Sequence, residues 1–191
     1  MSVEEVLFLQ HKLQKSKHYL EFGSGFSTLE ACKYVRKSIV SVETDLKYIS
    51  FLQQKINSTE IGSSKVVLIH ADIGETREWG YPANHESIEK WPKYMNSFLE
   101  TNSIKGHMPD LALIDGRFRV ATFLNLFLTQ PGLKVIFDDY FDRPQYHVVE
   151  SILKPKTQSG RIAFFKVPSF RSRLRSQNAR DMFSDYSLNP E

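Results

Sequence analysis

The sequence predicts a doubly wound α/β fold built on a mostly parallel sheet of six or seven strands. Three observations carry this prediction. Short apolar runs recur along the chain and are continuously apolar rather than alternating, the pattern of strands covered on both faces. Amphipathic stretches with three- and four-residue spacing separate them, as the crossover helices of a parallel sheet require. Four of the runs end in an acid, at Glu43, Asp72, Asp115 and the pair Asp138 and Asp139. The carboxyl ends of parallel strands line the ligand crevice of such sheets.

The elements follow in order. Residues 3–15 predict a helix with Val3, Val6, Leu7 and Leu13 on one side. A first buried strand runs through Tyr19 and Leu20 into a glycine turn, and a helix follows to about Lys37. Ile39–Glu43 is the second strand, and Leu46, Ile49, Leu52 and Ile56 mark the next helix. Lys65–Asp72 is the third strand. Between Thr76 and Lys105 the period breaks. A loop holding Trp79 precedes a helix from about Glu86, striped by Ile88, Trp91, Met95, Phe98 and Leu99. The loop from Trp79 to His85 is the candidate lid, because loops after strands carry function in such folds. Pro109–Arg117 and Lys134–Tyr140 supply the fourth and fifth strands, separated by an apolar helix around Val120–Leu128. Residues 147–153 read as helical. Ser159 and Gly160 mark the turn of a closing antiparallel hairpin over residues 152–167.

Two units are expected: a domain over residues 1–168 and a basic tail over 169–191, read as a solvated terminus. The 191 residues carry a net charge of +3, with 41% apolar and 25% charged side chains. That excess of charge is too small to demand nucleic acid. No apolar run approaches the roughly 20 residues of a membrane span. One cysteine, Cys32, cannot close an internal disulfide, and Met1–Glu5 has no signal-peptide pattern; a cytoplasmic protein is the expectation. Oligomeric state is left open.

The chemistry centres on Glu21-Phe22-Gly23-Ser24-Gly25-Phe26-Ser27. Gly23 and Gly25 remove Cβ atoms where the chain bends and let a ligand approach bare backbone. Ser27 and Glu30 have the spacing of a capping box, which places the helix start there. Glu21 stands at the mouth of the turn, a poor neighbour for a pyrophosphate. Glu43 follows Gly23 by about twenty residues, the spacing at which an acid takes the hydroxyls of a ribose.

These residues resemble motif I of the class I S-adenosylmethionine-dependent methyltransferases, with Ser27 in place of the third glycine. The resemblance extends to Glu43 as the ribose acid and Asp72 as the acid near the adenine, and spans roughly residues 17–167. It implies a Rossmann-like fold, S-adenosylmethionine as cofactor, and a site of Glu21, Gly23, Ser24, Gly25, Glu43, Asp72 and Asp115. Asp115 with Asp138 and Asp139 further resembles the magnesium site of cation-dependent O-methyltransferases of the catechol and macrocin types. That implies Mg2+ on Asp115, Asp138 and Asp139, with Asp115 and Asp139 catalytic. The lysine of the catechol type is missing, and Phe118 holds its place between Arg117 and Arg119. A simpler reading makes Asp138 and Asp139 ion-pair partners of Arg117, Arg119 or Arg143. The reaction expected is methylation of a small molecule, directed to oxygen, with Arg117 and Arg119 available to a carboxylate or phosphate on the acceptor. The competing readings are a catalytically inactive cofactor-binding protein and a Rossmann-type NAD-dependent enzyme. His85 and His147 are weaker candidates for a base, and His70 reads as a packing residue.

Overall fold

A seven-stranded sheet with the order β3-β2-β1-β6-β7-β9-β8 forms the centre of the computed structural model, which describes residues 1–58, 65–100, 108–168 and 177–191. Its parallel strands are β1 (His18–Phe22), β2 (Ser38–Glu43), β3 (Lys65–His70), β6 (Leu111–Ile114) and β7 (Lys134–Phe137). The hairpin of β8 (Thr157–Ser159) and β9 (Ile162–Lys166) closes one edge, with β9 antiparallel to β7. A separate two-stranded ribbon, β4 (Thr76–Arg77) and β5 (Tyr81–Pro82), follows β3. The strand order reverses between β1 and β6, and a crevice opens at such a switch point.

Helices cover both faces. On one side α1 (Val3–Leu13), α2 (Phe26–Tyr34) and α3 (Leu46–Asn57) pack against Tyr19, Ile39, Leu111, Leu113 and Ile136. On the other, α4 (Pro92–Asn96), α5 (Arg119–Thr129) and α6 (Gln177–Tyr186) cover Leu20, Phe22, Val40, Ile114 and Phe137. Adjacent residues of β1 therefore both find apolar cover, which is why the strand shows no alternation.

Several local expectations are corrected. The buried face of α1 is Glu5, Leu9 and Leu13, while Val3 and Leu7 are exposed. Glu5 is drawn inward because its carboxylate accepts the Arg161 backbone N–H at 2.8 Å. Helix α2 begins at Phe26, one residue early, and ends at Tyr34. The expected capping box does not form: the Thr28 hydroxyl takes the Gly25 N–H at 2.9 Å, and Glu30 turns to Gln10 and Lys33. The helix expected from Glu86 is broken into short turns, Ile88–Lys90, α4 and Ser97–Glu100. Pro92 lacks the N–H that a continuous helix would use. Trp91, Met95 and Phe98 are still buried, but Leu99 is exposed.

The expected solvated tail is also corrected. Arg171, Arg173 and Arg175 lie outside the described residues. Beyond them, α6 buries Ala179 and packs Met182, Phe183 and Tyr186 against the core. The chain then runs back so that the Pro190 and Glu191 carbonyls accept the N–H groups of Phe118 and Arg119, each at 3.2 Å. Among the described residues, no helix is long and apolar enough to cross a membrane.

Candidate functional site

At the switch point the β1 and β6 exits pass within backbone contact. Gly23 has φ +93°, and a Cβ there would stand 2.5 Å from the Gly116 nitrogen. Gly116 is equally confined, since its own Cβ would meet the Tyr94 hydroxyl at 2.1 Å. The two glycines let the loops cross without a side chain between them. Gly25 differs: its φ of 171° is ordinary extended backbone, and a Cβ there would meet only the Tyr48 hydroxyl at 3.6 Å. Its bare backbone faces open space.

That space is a cavity of about 1210 Å3 along the carboxyl ends of β1, β2 and β6, roofed in part by the ribbon. Glu43 organises its floor. One carboxylate oxygen accepts the Ser24 N–H at 3.0 Å; the other accepts the backbone N–H groups of Thr44 at 2.6 Å and Asp45 at 3.1 Å. The glycine turn and the entry to α3 are thus fixed to one acid. Ser24 is further held by Ser41, hydroxyl to hydroxyl at 2.5 Å. The ribbon sits on this floor through Gly80, whose carbonyl accepts the Thr44 hydroxyl at 3.2 Å. At the ribbon's tip Trp79 is 89% exposed with φ +61° and lines the cavity mouth.

Asp115 lines the cavity, and Asp138 opens onto a smaller one of about 310 Å3 beneath α1, which Asp115 shares. Burial, and then the negative charge of Asp138, push the Asp115 carboxyl up to about 7, against the opposing pull of Arg119. Asp138 is raised as well, by burial and then by Asp139. Its Oδ1 is buried without a hydrogen-bond partner.

Carboxylate oxygens of Asp115, Asp138 and Asp139 lie within 4.8 Å of one another, a spacing that could hold a cation. Guanidinium groups already take the carboxylates of two of the three acids, however, which suits magnesium poorly. Arg119, 4% exposed, places Nη2 3.1 Å from Asp115 Oδ1 and Nη1 3.2 Å from Asp139 Oδ2. Its remaining donors reach the carbonyls of Gly116, Asp138 and Asp115. Asp139 also pairs with Arg143 at 3.3 Å and Arg161 at 2.5 Å. Three cations around one carboxylate leave no call for a dication, and one placed there would face like charge at contact distance. The ion-pair reading holds for Asp139, through Arg119 and Arg143, but not for Asp138, whose carboxylate makes no ion pair among the described residues. With Arg161, that pairing occupies both oxygens of Asp139, which removes it as a base.

The other expected residues divide. Gly23, Ser24, Gly25, Glu43 and Asp115 meet around the large cavity. Glu21 does not line it: it is fully buried, accepting hydrogen bonds from Tyr19 at 3.0 Å and from Thr28. Burial raises its pKa, with the hydroxyl donors of Thr28, Ser41, Ser27 and Tyr19 opposing. Its work is to hold strand to helix. Asp72 is exposed, paired with Lys90 at 2.9 Å, and lies outside the cavity lining. His70 is exposed at the end of β3, with Nε2 3.1 Å from the Thr44 carbonyl. His85 packs against Trp91, and His147 stacks on Tyr140 with Nε2 3.0 Å from its carbonyl.

The candidate lid does supply Trp79, Gly80 and Tyr81 to the lining, but sequence reasoning missed Tyr48 and Arg77 there, and Arg161 at Asp139. The Gly116-Arg117 pair at a strand exit hinted at a close crossing, but nothing local ties Arg161 to an acid more than twenty residues earlier.

No family model and no curated protein matches the chain. Among solved structures it is similar to a methyltransferase-like protein from Silicibacter pomeroyi, at 27% identity and a TM-score of 0.88, covering 100% of this chain and 96% of that one. It is also similar to the N-methyltransferase NodS from Bradyrhizobium japonicum WM9 in complex with S-adenosyl-L-homocysteine, at 13% identity and a TM-score of 0.50, covering 86% and 87%. The second likeness speaks to the fold alone. Near-complete mutual coverage by the first, with the mostly parallel seven-stranded sheet and the glycine turn at its switch point, shows that this chain has the Rossmann-like fold of these methyltransferase structures.

Proposed function

We propose that this protein binds S-adenosylmethionine across the ends of β1 and β2 and methylates a hydroxyl group of a small molecule. The observation that carries the reading is the link from Ser24 to Glu43. It sets a side-chain-free turn and a carboxylate at the end of the second strand side by side in one cavity. That pairing suits a nucleoside whose sugar hydroxyls reach an acid while its remainder crosses bare backbone. The residues fit the cofactor: Gly25 offers uncovered backbone, and Glu43 offers lone pairs to vicinal hydroxyls. When bound, the cofactor supplies an electrophilic methyl group on a sulfonium.

The chain's own residues do the rest. Gly23 and Gly25 accept the amino-acid part of the cofactor, and Glu43 orients its sugar. Asp115, at the cavity wall and with its carboxyl raised to about 7, takes the proton from the acceptor hydroxyl. Arg119 fixes Asp115 in place and supplies the positive charge that a metal provides elsewhere. Residues 77–81 of the ribbon and Tyr94 line the same cavity and select the acceptor.

A second reading, cofactor binding without turnover, is favoured by the arginines that seal Asp139. Calorimetry with S-adenosylhomocysteine and turnover against a panel of hydroxyl compounds separate the two. Saturable binding that Glu43→Gln weakens at least roughly tenfold supports both readings. Methyl transfer lost in Asp115→Asn supports the first alone, and absence of binding removes both.

A further inference from the structure

Four arginines line the large cavity: Arg77, Arg117, Arg119 and Arg143. Arg119 and Arg143 are paired with acids, at Asp115 and Asp139. Arg77 and Arg117 make no ion pair among the described residues. Both lie near the Tyr81 ring, Arg77 at 4.5 Å and Arg117 at 5.9 Å from its centroid. Arg77 is exposed, whereas Arg117 is half-buried and its Nε is fully desolvated with no hydrogen-bond partner. A guanidinium Nε–H stripped of water and left without an acceptor is costly, and cation–π attraction at nearly 6 Å returns only part of the loss. A charged ligand group would complete it.

We infer that Arg117, with Arg77 and the Tyr81 ring beside it, is an anion subsite that binds a carboxylate or phosphate on the methyl acceptor. The inference rests on the methyltransferase reading and deepens it by naming the acceptor class. Arg117 leaves β6 two residues after Asp115 and next to Gly116, which lies against the glycine turn. An acid group held there keeps its molecule within reach of Asp115. The acids of the lining are Glu43 and Asp45 at the entry to α3, Asp115 and Asp139 at the arginine cluster, and Glu78 on the ribbon, while the unpaired cations Arg77 and Arg117 lie beside Tyr81. Guanidinium suits planar two-point recognition of either anion, and Tyr81 provides a face for an adjoining ring.

The test uses the full chain saturated with S-adenosylhomocysteine and titrated by NMR with inorganic phosphate, benzoate and, as neutral control, benzyl alcohol. Phosphate or benzoate is expected to bind saturably, more weakly as salt rises, and benzyl alcohol far less. Stronger binding of one anion assigns the source as phosphate or carboxylate. Arg117→Gln is expected to weaken the anion roughly tenfold or more, Arg77→Gln less, and Lys37→Gln at the remote surface not at all. Tm and S-adenosylhomocysteine affinity should stay near wild type in Arg117→Gln. Equal binding of the neutral control, or no response to Arg117→Gln, overturns the subsite. Loss of S-adenosylhomocysteine affinity in Arg117→Gln also overturns it, by assigning the guanidinium to the carboxylate of that molecule. If the wild-type chain fails to bind S-adenosylhomocysteine at all, the underlying reading fails instead.

Discussion

Arg119 Nη1 lies 3.2 Å from Asp139 Oδ2, in a site where three carboxylates converge. The guanidinium is 4% exposed and uses its donors on acids and carbonyls alike. It bridges Asp115 and Asp139, two of the three acids whose spacing could hold a cation. Wild-type protein should therefore show no saturable heat with magnesium, and chelator should leave its Tm unchanged. Arg119→Met leaves Asp115, Asp138 and Asp139 facing one another without their central cation. Stability should fall by about 3–5 kcal/mol in urea unfolding, the cost of breaking a buried charge pair. Magnesium or calcium should then raise the Tm of the variant and not of the wild type. A wild-type Tm that climbs with magnesium would contradict the ion-pair assignment.

The raised carboxyl of Asp115 makes a signed prediction about pH. Burial and Asp138 lift it to about 7, whereas the unfolded chain releases that proton near pH 4. Between those values the folded state binds more protons than the unfolded state, so stability falls as pH rises. The contribution is present at the acid end of the window and lost on passing through about 7. Urea midpoints at pH 5 and 8 should show a drop that Asp115→Asn flattens, since the amide does not titrate. The same carboxyl, as base, should give a turnover that rises with pH across that window. A midpoint drop as large in Asp115→Asn as in wild type would assign the slope to other groups.

The layered fold was legible because both-face burial leaves a plain mark: Leu111–Ile114 and Val135–Phe137 are unbroken runs of buried apolar residues. Glu43 was legible too, since its distance from Gly23 is set by one helix and one strand. Glu21 was misread because an acid inside an apolar strand can be buried if hydroxyls from the following helix reach back to it, as Thr28 does. Asp72 ends an edge strand, where only one neighbour fixes the geometry, and the chain beyond it turns to bring Lys90 across its carboxylate. The Arg119 pairing depends on Phe118, whose φ of +53° sends α5 back over the strand exit. A left-handed phenylalanine leaves no signature in composition or period. Helix α6 was hidden by its polar surface, because only Ala179 is fully covered.

The end of the chain braces the site from behind. The carbonyls of Pro190 and Glu191 take the N–H groups of Phe118 and Arg119, donors that the first turn of α5 cannot satisfy for itself. Deleting residues 187–191 while keeping α6 should cost about 1–3 kcal/mol, the worth of two such hydrogen bonds. Freed backbone at Arg119 should also loosen the acids it holds. Hydrogen exchange at Phe118 and Arg119 should quicken well before that of β6. Unchanged exchange at those two amides would mean that other acceptors replace the carbonyls.

The two glycines of the turn should fail in different ways. Gly23→Ala forces a Cβ to 2.5 Å from the Gly116 nitrogen at a φ of +93°, so backbone must move and the strain is left-handed as well as steric. Its urea midpoint should fall by the equivalent of about 1–3 kcal/mol. Gly25→Ala meets nothing closer than the Tyr48 hydroxyl at 3.6 Å, in backbone that any residue adopts, so its Tm should match wild type. If a ligand lies against that backbone, the added methyl occupies its place, and S-adenosylhomocysteine should bind more weakly to a fully folded protein. The pair separates a glycine needed by the fold from one needed by the ligand. Equal Tm losses in both would show that Gly25 is structural, and normal binding in Gly25→Ala would move the ligand off the turn.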